Sequence, residues 1–541
     1  MTPYPSTPVR RLLVVVPGLR GKAVQWEDFK SVAQAQPGHA QDEWLFYEHG
    51  ATPFSREGVA VLAQRLRDRI RNKAEVQGLP DEILLLGHSL GGLIVREAYL
   101  AAVDATYEGE EVDAWARKVT RIILFAAPNQ GVVVPGAKLF GVVPFLGLAR
   151  WLSPLLDDTV QGADFISNLK IGWLRYFRRT PPSQQPVVLQ LLGDADSIVD
   201  ESESLEVEQL PTGEQRRLSG ATHNNVHRWD WLPAGNEREE YKRMLMYYTF
   251  EHLPSDAPSP KQAERNAVQN VVFVMPGIRA LNPDWTTQLR DVLKQPDTDV
   301  RIGNYGYFSA AKFLRSGVRR ANTRWFKNSY SDALAQYPNA NFHFVGHSNG
   351  TYILGESLRR LPNMRFQRVY LAGTVLPVDY PWGDLFKKRQ VETLRNDKSC
   401  ADWPVGILCR VMNKVLGIRD VGTGGIDGFQ GAYNGKQVQE YAYFAGGHGA
   451  PLEAGNHRSI SQYINNADPN EPDRTAFVGE ISPAVNWGGR LAPALVVLLL
   501  AAAAMWVGWG LVTGATPAER FGPLTTVLAA TIVGYFALDK V

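Results

Sequence analysis

One five-residue pattern occurs twice in this chain. Gly87-His88-Ser89-Leu90-Gly91 and Gly346-His347-Ser348-Asn349-Gly350 both read G-H-S-x-G. Each follows an apolar run suited to a strand, Ile83–Leu86 and Phe342–Val345. Each precedes a helical stretch, Leu93–Ala101 and Thr351–Arg360. Strand, glycine-flanked serine and helix together predict a sharp turn that leaves the serine Oγ exposed, with glycines where a side chain would block the turn. Two such turns imply two copies of one architecture.

The repeat extends beyond the serines. Val14-Val15-Val16-Pro17-Gly18-Leu19-Arg20 matches Phe273-Val274-Met275-Pro276-Gly277-Ile278-Arg279. Gly18 precedes Ser89 by 71 positions, and Gly277 precedes Ser348 by 71. Arg121–Ala126 likewise matches Arg368–Ala372. Strands that alternate with helical segments predict an α/β fold, a mostly parallel sheet flanked by helices. In such sheets function collects at the carboxyl ends of the strands. The first domain is expected over residues 9–254 and the second over 270–466. Polar, Pro-containing connections are expected at Ser255–Gln269 and Ala467–Asn486.

The remaining length has a different character. Leu491–Val512 is 22 residues without a charge, and Phe521–Leu538 is 18 more. About 20 apolar residues span a bilayer, so residues 491–538 predict a transmembrane helical hairpin. Trp487, Trp506, Trp509 and Tyr535 suit the interfaces. Two spans return the chain to its starting side, with Arg490 and Lys540 beside the two domains, and the positive-inside tendency makes that side cytoplasmic. The run Leu12–Val16 is too short for a signal-peptide core and reads as a first strand. Cys400 and Cys409 give no disulfide framework. A net charge of +2 selects no partner, and no nucleic-acid-binding module is present. Six basic residues and no acids lie between Lys312 and Lys327. They read as a solvated helix face, with attraction to anionic headgroups as the rival reading.

Both domains resemble the α/β-hydrolase superfamily. The first is similar to serine esterases and lipases of the GPI-inositol-deacylase-like group. The similar pieces are the turn around Ser89, Phe125-Ala126-Ala127-Pro128-Asn129-Gln130-Gly131, and Gly193–Val199. The resemblance implies hydrolysis of carboxylic esters, often in lipids, without a cofactor, and it implies the chain order Ser, acid, His. In the first domain Asp196 is the expected acid, with Asp194 and Asp200 as rivals. Only His223, His227 and His252 follow it within that domain. Ala221-Thr222-His223-Asn224-Asn225-Val226 resembles the catalytic-histidine loop of many lipases, which picks His223; His88 and His227 read as structural. The two oxyanion donors are expected to be the N–H groups of Leu90 and Leu19, although proline stands at Pro17 where many lipases have histidine. The apolar run Val132–Leu156, inside an insertion at about 130–185, reads as a helical cap or as a lid over an acyl pocket.

The second domain repeats the pattern with Ser348, Asp402 and His457, and with Ile278 and Asn349 as oxyanion donors. Asp402-x-x-Val405 repeats Asp196-x-x-Val199, and His457-x-x-Ile460 repeats His223-x-x-Val226. Asp397 and His448 are the rivals. Asp420–Gly425 reads as a flexible loop. The expectation is a membrane-anchored serine hydrolase with two Ser-Asp-His sites, acting on acyl esters of lipids. The alternatives are a tethered esterase or thioesterase on soluble substrates, or one active domain with an inactive partner domain.

Overall fold

The structure, a computed structural model, describes residues 9–104, 112–132, 153–199, 210, 212–254, 267–278, 284–303, 316–431, 437–441, 443–465 and 477–540. The chain forms two compact units, Met1–Gln262 with Tyr330–Pro338, and Ala263–Ser329 with Asn339–Val541.

The first unit holds a six-stranded sheet of β1 (Arg11–Val16), β2 (Glu43–Phe46), β3 (Glu82–His88), β4 (Val119–Phe125), β5 (Val187–Gly193) and β6 (Gly213–Leu218). The order is β2-β1-β3-β4-β5-β6 and every pairing is parallel. Leu12–Val16 and Ile83–Leu86 are buried along their whole length. Continuous apolar runs of this kind mark strands covered on both faces, as parallel strands between helices must be. Leu13, Val15, Leu84, Leu86, Ile123 and Leu189 pack with Trp26 and Phe29 into the main core.

The second unit repeats this sheet with β7 (Asn270–Met275), β8 (Thr298–Ile302), β9 (Asn341–His347), β10 (Phe366–Ala372), β11 (Val391–Asp397) and β12 (Val438–Glu440). Its order is β8-β7-β9-β10-β11-β12, again all parallel. Strand for strand, the two sheets have one topology. In each the chain reverses direction across the sheet between the first and third strands, which opens a crevice at their carboxyl ends. Pro17-Gly18-Leu19 and Ser89 border the first crevice, and Pro276-Gly277-Ile278 and Ser348 the second.

Two expectations need correction. The basic run is not wholly a solvated face: Arg319 and Lys327 are buried on the helix Ser316–Gln336, and Arg319 donates to Asp420 at 3.1 Å. Asp420–Gly425 is a held segment. Asp420 also accepts from Tyr352 Oη, and Gly422, Gly424 and Gly425 donate to Val375, Leu376 and Thr374. Its glycines serve close backbone approach instead of mobility. Among the described residues only one helix, Pro483–Thr513, is long and apolar enough to cross a membrane; a second helix, Pro517–Lys540, follows it. Residues 133–152 of the proposed lid, and Asp200, Lys312 and Arg315, lie outside the described residues.

The Pro483–Thr513 helix begins eight residues before the predicted span. Ser482 Oγ caps it by accepting from Val485 N–H, and Pro483 occupies the first turn, where its missing N–H costs nothing. Val485 is buried with Tyr352, Val405, Cys409, Met412 and Ile426. A Cβ on Gly489 would lie 2.3 Å from Gly406 O, so only glycine permits this seat. The root of the helix is thereby part of the second unit's core.

Candidate active site

Ser89 follows β3 with φ 53° and ψ −121°, a left-handed conformation that an L-residue holds only under constraint from its surroundings. Its N–H donates to Phe125 O at 2.8 Å, which ties the turn to the end of β4. A Cβ on Gly18 would lie 2.9 Å from His88 Nδ1 and 3.1 Å from Ser89 Cβ. Glycine at that position therefore lets the loop after β1 close on the serine.

Around Ser89 the structure brings Asp196 and His223 together. Ser89 Oγ lies 2.8 Å from His223 Nε2, and His223 Nδ1 lies 3.0 Å from Asp196 Oδ2. An ionised carboxylate only accepts, so Nδ1 carries the proton and Nε2 is free to accept from the serine hydroxyl. Asp196 Oδ1 accepts from Ile198 N–H at 2.8 Å and Val199 N–H at 3.0 Å. Burial pushes the Asp196 pKa up, but the hydrogen bond and charge of His223, with these two amides, outweigh it and hold the carboxyl below its usual range. The Asp194 rival instead accepts from Gly220 N–H.

The neighbouring histidines serve the frame. His88 Nε2 donates to His223 O at 2.7 Å. Burial, with the adjacent His223, lowers its pKa to about 4, so it stays neutral. His227 stacks on Trp26 at 4.3 Å and is held neutral by burial. His252 bonds Glu214 at 2.7 Å. Sequence reasoning missed His49, whose Nε2 donates to Pro17 O at 3.0 Å while Nδ1 accepts from Ala51 N–H at 3.1 Å. It braces the loop that presents Leu19, and only the fold brings it there. Leu90 opens the helix Leu90–Val103, so its N–H has no intrahelical acceptor. Gly18, Leu19, Arg20, Ser89, Ile198 and His223 border one cleft of about 520 Å³.

The second site reuses this backbone. Ser348 has φ 50° and ψ −120°, and its N–H donates to Ala372 O, the counterpart of Phe125 O. A Cβ on Gly277 would lie 2.8 Å from Ser348 Cβ, which places Ile278 as Leu19 is placed. Asp402 Oδ1 accepts from Val405 N–H at 3.0 Å, as Asp196 does from Val199. Asp397 is instead paired with Arg395 at 2.7 Å and is buried.

The histidine expected there is corrected. His457 lies on the helix Ala454–Asn465, where its Nε2 bonds Leu452 O at 2.8 Å. The partner of Asp402 is His448, with Nδ1 2.8 Å from Asp402 Oδ2. His347 Nε2 donates to His448 O at 3.2 Å, repeating the bond from His88 to His223 O. His448 is therefore the counterpart of His223. Its setting, Gly446-Gly447-His448-Gly449, lacks the polar pair and aliphatic residue used to find His223, while His457-x-x-Ile460 matched that pattern as part of a helix. Among the described residues no hydrogen bond joins Ser348 Oγ to His448. Asn349 is buried, with neither amide atom bonded among those residues. No group of three His, Cys, Asp or Glu side chains among the described residues is placed to hold a metal.

Residues 7–147 match the family described as "Putative serine esterase (DUF676)". No curated protein sequence matches the chain. Solved structures with a similar fold include the peroxisomal α/β-hydrolase Lpx1 of Saccharomyces cerevisiae. It is 11% identical over 47% of this chain and 80% of its own, with a TM-score of 0.30. Est1E of Butyrivibrio proteoclasticus is 14% identical over 45% and 89%, with a TM-score of 0.29. Phospholipase PlaB of Legionella pneumophila is 18% identical over 34% and 39%, with a TM-score of 0.24. The match of residues 7–147 to putative serine esterases, with the parallel α/β sheet common to both units, supports a serine hydrolase.

Proposed function

We propose that this protein hydrolyses carboxylic acyl esters at Ser89, with His223 as base and Asp196 as orienter, and that a second site is built from Ser348, His448 and Asp402. The observation that carries the reading is the unbroken chain from Ser89 Oγ through His223 to Asp196. His223 Nε2 takes the serine proton as Oγ attacks the ester carbonyl. The N–H groups of Leu19 and Leu90 receive the developing oxyanion. His223 then returns the proton to the departing alkoxide, which leaves an acyl-serine. Water, deprotonated by the same imidazole, releases the acid and restores Ser89.

The helix Pro483–Thr513 anchors the protein in a membrane, with both domains on the cytoplasmic side, and the ester belongs to a lipid. Its length and its uncharged stretch Leu491–Val512 support the anchor. A second reading, an anchored esterase on soluble substrates, draws support from Arg20, Gln25, Asn224 and Arg228, which give the described part of the first cleft a polar lining. Fluorophosphonate labelling of the full chain with peptide mapping tests the nucleophiles. The expected result is labelling at Ser89 that Ser89→Ala abolishes; an unlabelled Ser89 overturns the assignment. Vesicle lipid against a short-chain soluble ester separates the two substrate readings.

A further inference from the structure

We propose that a cavity at the root of the Pro483–Thr513 helix binds the phosphodiester of an anionic phospholipid headgroup. The proposal rests on the reading of that helix as a membrane anchor. The cavity holds about 460 Å³ and its lining includes Arg410, Lys414 and Arg490, with Asp379 and Asp427. These three cations and two carboxylates leave one net positive charge, which matches the single negative charge of a phosphodiester.

The charges are not equivalent. Asp427 accepts from Arg410 Nη2 at 2.6 Å and from Thr423 Oγ1 at 2.6 Å, so that carboxylate and that guanidinium satisfy each other. Among the described residues neither Lys414 nor Arg490 has an ion pair. Arg490 has only the Trp487 ring, 6.0 Å from its guanidinium carbon. The cavity therefore offers two cations outside any ion pair against the one remaining carboxylate, Asp379.

Depth identifies the ligand. Arg490 immediately precedes Leu491–Val512, the 22 residues without a charge. At 1.5 Å per residue they extend about 33 Å, close to the thickness of a hydrocarbon core. A helix spanning with this register places Leu491 at the edge of the hydrocarbon and Arg490 among the phosphates. Trp487, largely exposed one turn earlier, suits the same interface. Because Val485 and Gly489 fix the helix on the Pro404–Cys409 segment, Lys414 and Arg490 keep their spacing across the cavity. A headgroup held there would be a site apart from either serine.

The test uses the full chain in a neutral maltoside detergent. It is titrated with dihexanoyl-phosphatidylglycerol, dihexanoyl-phosphatidylcholine and inorganic phosphate, and tryptophan fluorescence reports binding. Saturable binding of the phosphatidylglycerol, tighter than that of the other two, is expected. Lys414→Gln and Arg490→Gln should each weaken it roughly fivefold, from about 1 kcal/mol per basic residue near an anionic surface. Melting temperature and Ser89 labelling should stay unchanged. Unaltered binding in the double variant overturns the site. Equal affinity for inorganic phosphate replaces the lipid by a free anion, and equal affinity for the phosphatidylcholine replaces it by detergent-like partitioning. The anchor is judged separately: a full chain that stays in the soluble fraction after membranes are sedimented removes the anchor, whereas membrane retention with unaltered lipid binding removes only the site.

Discussion

The two elbows are nearly superimposable in conformation, yet the sites they serve differ at the histidine. Ser89 and Ser348 sit at φ 53° and 50°, and Asp196 and Asp402 are each held by the N–H of a valine three residues on. His223 sits on a packed loop. Asn225 Oδ1 accepts from Thr222 N–H, Val226 is buried, and Tyr241 Oη donates to Val226 O. The side chain of His223 is 7% exposed and reaches Ser89. His448 stands among glycines, with open space where side chains on Gly447 and Gly449 would lie, and its side chain is 21% exposed. Its bond to Asp402 is made and its bond to Ser348 is not. An elbow and an acid can thus be duplicated while the base loop keeps more freedom in one copy than the other.

The largest expected effect separates the two serines. Ser89→Ala should lower ester turnover by roughly 10⁴-fold, while Ser348→Ala should leave most of it, measured on one soluble p-nitrophenyl ester. Equal losses would break the comparison, because the site without a serine–histidine bond would then be as competent as the site that has one. Next comes the choice of histidine. His448→Ala should remove fluorophosphonate labelling of Ser348, a loss of roughly 10²-fold or more in rate, and His457→Ala should preserve it. The reverse pattern would restore His457 as the base.

A smaller effect concerns the helix root. Val485→Ala should destabilise the second unit by about 2 kcal/mol, the usual scale for emptying a buried aliphatic site, and should leave Ser89 labelling intact. Truncation after Arg490 keeps Val485 and Gly489 and should preserve the second unit's melting transition. Truncation after Ser482 should lower it. Identical transitions would show that the root adds nothing to that core.

The last effect is a pH dependence shared by both sites. Burial, with the neighbouring His223 or His448, lowers the pKa of His88 to about 4 and of His347 to about 3. Unfolded histidine titrates near about 6.5, so the unfolded chain takes up these protons first. The stability each contributes is complete above about pH 6.5 and is lost as pH falls toward the folded value. Melting temperature should therefore fall with acidification, and His88→Gln and His347→Gln should each flatten the slope by about one proton. A slope unchanged by both variants would mean that other groups set it.

What was legible in the sequence was local. Glycines around a serine between an apolar run and a helical stretch set the elbow, because the turn's sterics are written in five adjacent residues. Strands alternating with helical stretches pointed to a parallel sheet, and Asp-x-x-Val marked both acid turns, because a carboxylate that accepts an N–H three residues on needs no distant partner. The sequence also marked Leu491–Val512 as a candidate span by the absence of charge alone. The tertiary structure decided the contacts between distant residues. It chose His448 over His457, nine positions apart, because the strand ends and the carbonyl bond from His347 bring one loop to Asp402 while the other histidine is spent inside a helix. It brought His49 to the loop of Leu19, buried Arg319 against Asp420, and set the first turns of the Pro483–Thr513 helix into the second core. Those outcomes depend on which elements pack together, and packing joins positions that share no local pattern.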